Sequence, residues 1–133
     1  MAPLEELYAG AQRVPEPTGS PLLSFDLAAE LERLRTEDHP WQAGRNAKIL
    51  VKYSNFRILL IGLRQGTHIA EHHAAGPISI QLVTGHILVR AAGKPFDLRE
   101  GQLLALEAEV PHYLEALAES AVLVTIAWPG ATG

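Results

Sequence analysis

Two spacings of apolar residues divide the chain. Over residues 26–35, Leu27, Leu31 and Leu34 recur at helical intervals and share one face. Ser24 or Asp26 can cap the start of that helix, and His39-Pro40 ends it. From residue 47 the period shortens to two. Ile49, Val51 and Tyr53 alternate with Leu50 and Lys52. Residues 56–63 form a longer apolar run, the mark of a strand buried on both faces. Turn residues then recur at Gly66, Gly76-Pro77, Gly85, Gly93-Lys94-Pro95 and Gly101. Strands are expected between them near 68–73, 78–83, 86–91, 96–98, 102–106, 112–116 and 121–128. This rhythm predicts an all-β sandwich or barrel. No helix-length segment separates the strands, which argues against a doubly wound α/β fold.

The pattern implies one domain. Residues 1–21 carry Pro3, Pro15, Pro17, Gly19 and Pro21 and read as an irregular arm, either loose or extended along a partner subunit. Residues 22–46 form the helix and a connector, and residues 47–133 the barrel. A length of 133 residues with 47% hydrophobic content suits a single globular core. Net charge is -4 with no basic run, which argues against nucleic acid as a partner. The absence of cysteine excludes disulfides, thiolate metal sites and cysteine nucleophiles. No apolar run approaches the roughly 18 residues of a membrane span. The acidic start, Met1-Ala-Pro-Leu-Glu-Glu, does not look like a secretory signal. A cytoplasmic location without membrane partners is expected.

Histidine and glycine spacing adds a family likeness. Five residues separate Gly66 from His72, and Gly85 follows where a closing glycine is needed. Gly101 opens a second set that ends at His112. In this the chain resembles the cupins, whose two motifs run G-x5-H-x-H-x3/4-E-x6-G and G-x5-P-x-G-x2-H-x3-N. The motif likeness covers residues 66–116. It implies a jelly-roll barrel of two packed sheets with a central pocket, behind a short N-terminal helix. It also implies pairing as a homodimer, with the proline-rich arm as a candidate for strand exchange.

In a complete cupin site three histidines and one carboxylate hold a divalent metal such as Fe, Mn, Ni, Cu or Zn. Carried over to this chain, His72 and His112 match the first and last histidines. Ala74 and Ile78 stand where the other histidine and the carboxylate belong. In the second motif Glu107 and Glu109 replace the proline and glycine, and Ala116 replaces the asparagine. The loop 107–111 is therefore acidic and can bring a carboxylate to the barrel rim.

Strand parity places His68 and Ala74 on the inward face with His72, and turns His73 outward unless a bulge inverts the order. Ile78, Ile80 and Leu82 share the inward face of the next strand, while Gln81 faces the other way. The expected small-molecule pocket is thus lined by His68, His72, His112, Ile78 and Ile80. Three readings of the histidines stand. A metal is held by His72 and His112 and completed by His73, His68, a glutamate or water. Neutral histidines hydrogen-bond an organic ligand without metal. Or the histidines are satisfied by neighbours and bind nothing.

The corresponding functions are a metal-dependent isomerase or dioxygenase, a non-catalytic ligand-binding module, and a structural dimer. No catalytic residue is assigned. His86, Asp97 and Glu100 read as solvated, His39 as a helix-end residue, and Trp41 and Trp128 as packing residues. Ser54, Ser79 and Ser120 lack a nucleophile elbow.

Overall fold

The computed structural model describes residues 2–3, 12–13, 21–36 and 41–127. Most of the proline-rich arm, His39 and Trp128 lie outside the described residues. The elements are β1 (Ala2–Pro3), β2 (Gln12–Arg13), α1 (Leu27–Thr36), β3 (Arg45–Lys52), β4 (Phe56–Leu63), β5 (His68–His73), β6 (Ile78–Thr84), β7 (His86–Ala91), β8 (Lys94–Arg99), β9 (Leu103–Leu106), β10 (His112–Ala116) and β11 (Ser120–Ala127). They form a five-stranded sheet, β1-β5-β10-β7-β8, and a six-stranded sheet, β2-β3-β4-β11-β6-β9. The long strands pair antiparallel, while β1 and β2 join the edges in parallel. This is the expected jelly-roll barrel, with one short helix among the described residues.

The main core fills the space between the sheets. Leu59, Ile61 and Leu63 of β4 enter it, with Ile78, Ile80 and Leu82 of β6 and Val122, Val124 and Ile126 of β11. A second core lies on the far side of the six-stranded sheet, where Leu31 and Leu34 of α1 pack on Leu50, Val51, Leu60 and Ala121. Strand β4 is apolar on both faces because each face has its own cover. Gly62 lets this layer close: a Cβ there would stand 2.9 Å from the Trp41 ring.

Of the two caps the sequence offers, Asp26 serves α1, accepting from Ala29 N at 3.2 Å. Asn46 Nδ2 donates to Leu34 O at 3.2 Å and ties the other end to β3. A buried ion pair, Lys48 Nζ to Glu30 Oε1 at 3.4 Å, holds helix to sheet, and Arg33 adds a second contact to Glu30 at 2.7 Å.

The alternation of Ile49 with Val51 does not hold. The β3–β4 register shifts between these residues. Ile49 therefore joins the barrel core, while Val51 joins Leu50 beneath the helix. A bulge places two successive residues on one face, which a period of two cannot express.

Candidate functional site

His72 and His112 meet at one end of the barrel. They are register partners across β5 and β10. Their rings lie edge to face, with centroids 4.0 Å apart and an interplanar angle of 65°. Both are buried, at 3% and 2% exposure.

A bulge creates this pairing. His112 faces His72, yet Leu114 faces Ile69, so β5 spends three residues where β10 spends two. Ala70 and Glu71 both turn outward, and Ile69 and His72 both turn in. The bulge also supplies a hydrogen-bond partner. His72 Nδ1 donates to the carbonyl of Ala70 at 2.9 Å. His112 is fixed in the same way, its Nδ1 donating to Val110 O at 3.0 Å. A carbonyl can only accept, so both neutral rings carry their proton on Nδ1. Each Nε2 is left with a lone pair. That of His112 is buried and has no hydrogen-bond partner among the described residues.

Burial keeps both rings neutral. It lowers the pKa of His72 from 6.5 to about 4, against the opposing pull of the Ala70 carbonyl and with help from the nearby His112. The pKa of His112 is lowered as well, again chiefly by burial.

Beneath the pair lies a cavity of about 10 Å³, room for roughly one water. Apart from the two histidines its walls are aliphatic: Ile69 and Leu114 on one sheet, Ile61, Ile78, Ile80, Val122 and Val124 on the other. Among the described residues it has neither an acidic nor a cationic lining residue.

For a resident divalent metal the donor set is short. Two neutral imidazoles with free Nε2 atoms are sound ligands. Among the described residues, however, no three His, Cys, Asp or Glu side chains converge. Ala74 and Ile78, where the family likeness places the other two ligands, are buried and apolar. Two imidazoles alone hold a divalent ion weakly, so these residues do not fit a tightly bound metal.

His68 does not line this cavity, contrary to the parity argument. The Ala70–Glu71 bulge reverses the face, and His68 is exposed on the outer surface, stacked on Tyr113 at 6.0 Å. His73 does not join the pair either. It points to the other side of β5, where Nε2 lies 3.5 Å from Glu109 Oε1.

His86 is half-buried rather than freely solvated. Its Nε2 reaches both oxygens of Asp97, at 2.8 and 2.9 Å. That hydrogen bond is the main reason the Asp97 carboxyl is held below its ordinary pKa. Trp41 packs over Gly62 and against the Arg64 guanidinium, 4.6 Å from its ring centroid.

The chain matches no protein-family model, and no curated protein matches it. Solved structures do match. An RmlC-like cupin protein from Desulfovibrio desulfuricans superposes with a TM-score of 0.64 at 21% identity, over 80% of this chain and 96% of that one. A cupin superfamily protein from Desulfitobacterium hafniense gives 0.64 at 14% identity, over 68% and 83%. A salicylate 1,2-dioxygenase from Pseudoaminobacter salicylatoxidans gives 0.62 at 22% identity, over 74% of this chain but 30% of that one.

Proposed function

Starting from the cupin fold, which these structural likenesses establish, we propose that the His72–His112 end of the barrel binds a small uncharged organic molecule. The molecule has one hydrogen-bond donor and an apolar body. The observation that carries this reading is the His112 Nε2 lone pair, buried beside the cavity with no partner among the described residues. A buried acceptor of this kind is costly unless something donates to it. The fixed Nδ1–H protons leave both rings as acceptors on the cavity side. Aliphatic walls favour an apolar body, and the lack of a charge among the described lining residues disfavours an ion.

Binding is favoured over catalysis. A general base works best with a pKa near the working pH, and His72 at about 4 is too weak a base at neutrality. Anything larger than a water requires the walls to yield. The segments beside the pair, 74–77 and 107–111, are joined by one hydrogen bond, Glu109 N to Ala74 O at 2.8 Å.

A thermal-shift screen with phenol, aniline, benzoate and a monosaccharide tests the proposal, with the His112 imidazole followed by nitrogen NMR. Phenol or aniline should raise the melting temperature and shift the His112 Nε2 resonance. No response at millimolar concentration, or an equal response to benzoate, sinks it. A divalent metal on the pair is the weaker reading, favoured only by the shared ring tautomer. Near-stoichiometric metal in protein purified without added metal would overturn the ranking.

A further inference from the structure

Glu109 occupies a backbone conformation that its residue type disfavours. Its φ is 66°, in the left-handed region. Among the described residues two other non-glycine residues share that sign, Ala43 at 53° and Ala92 at 51°. Each of those precedes a glycine that also has positive φ, Gly44 and Gly93, as in a tight two-residue turn between antiparallel strands. Glu109 has no such companion, because Val110 follows it. It also stands where the motif it resembles carries a glycine. The chain keeps the glycine-like geometry without the glycine, and such an outlier persists only when its surroundings hold it.

The surroundings are specific. Glu109 N donates to Ala74 O at 2.8 Å, joining the loop before β10 to the segment after β5. The next residue, Val110, offers the carbonyl that takes the His112 Nδ1 proton at 3.0 Å. The direction of that carbonyl depends on the ψ of Val110 and on the peptide that Glu109 leads into. We propose that Glu109 is a positioning residue, whose left-handed backbone and N–H bond to Ala74 aim the Val110 carbonyl at His112 and so turn the His112 Nε2 toward the cavity. This deepens the binding reading of the same pair, but it is tested without any ligand.

The backbone acts here and the carboxylate does not. Glycine takes the required φ freely, and glutamine keeps the side-chain shape. Valine at positive φ is strongly disfavoured, and proline forbids that φ and removes the N–H.

Nitrogen NMR of the histidine rings reads the tautomer directly. In the unaltered chain, His112 should show the Nδ1–H form alone, and the Glu109 amide should exchange slowly with solvent. E109G and E109Q should both retain that tautomer, and E109G should melt at a higher temperature. E109V and E109P should lose it, giving a mixture of the two forms at His112 while His72, fixed by Ala70, keeps its own. Loss of the tautomer in E109Q would show that the carboxylate does the positioning and overturn the proposal. So would a folded E109P or E109V with an unchanged His112, or a fast-exchanging Glu109 amide in the unaltered chain. The amide measurement decides even where neither of those two variants folds. Failure of every small molecule to bind would remove the binding reading and leave the tautomer result standing.

Discussion

His72 and Ile69 share the inward face of β5 although they stand an odd three positions apart, because Ala70 and Glu71 both bulge outward. The bulge moves His72 into contact with His112 and sends His68 to the outer surface. His68→Ala should therefore change stability by no more than about 0.5 kcal/mol, the range for surface substitutions. It should also leave any ligand response of the barrel intact. Equilibrium denaturation and the phenol thermal shift, compared with the unaltered chain, check both. A lost response would return His68 to the site.

Neutral buried histidines make stability depend on pH. The folded pKa of His72, about 4, lies below the ordinary 6.5, so the unfolded chain binds the extra proton first as pH falls. The contribution is complete above about pH 6.5 and is lost progressively toward pH 4. Its full size is about 3 kcal/mol for a shift of this order. The lowered pKa of His112 acts in the same direction. Urea midpoints at pH 7.5 and pH 5 should show the loss, and His72→Gln should reduce the difference. An equal pH dependence in His72→Gln would contradict it.

Ile78 lines the cavity beneath the imidazole pair. Ile78→Glu supplies a third donor and buries a carboxylate without a cation. The metal-free variant should lose about 3 kcal/mol or more. Added zinc should restore part of that, and zinc affinity should rise at least about tenfold over the unaltered chain, since three protein ligands make a usable site where two do not. Calorimetric titration and melting with and without zinc measure this. An affinity equal to that of the unaltered chain would mean that position 78 and the two rings do not converge.

The buried pair under α1 should reveal itself through non-additivity. Lys48→Met leaves Glu30 buried with Arg33 as its remaining charged neighbour, at a cost of about 3 kcal/mol. Lys48→Met with Glu30→Leu should cost less than the first change alone. Chemical denaturation of the two single variants and the double variant gives the coupling. Strict additivity would show that the two groups act independently.

How far the sequence could be read depended on what each signal encodes. Gly85 is needed for a turn at φ 103°, and such turn spacings carried the barrel and its strand limits to within a few residues. Leu27, Leu31 and Leu34 carried the helix. Parity failed at two bulges. Neither Leu50 nor the Ala70–Glu71 pair differs in composition from ordinary strand residues, so a strict period of two puts Val51 and His68 on the wrong faces. The buried role of Lys48 left no mark in the sequence, because its partner Glu30 lies 18 positions away on another element. Glu109 showed as a departure from a glycine position, but its conformation was visible only in the backbone.

The two-sided burial of β4 has a consequence for the chain before it folds. Phe56–Leu63 is a β-prone stretch with a single charge inside it, Arg57, and Arg64 immediately after it. Strands of this kind self-associate when exposed, and flanking charges are the usual restraint. The helix that covers one face therefore also protects solubility. Changes that loosen α1, such as Leu34→Ala, should lower the yield of soluble protein out of proportion to their effect on the folded state.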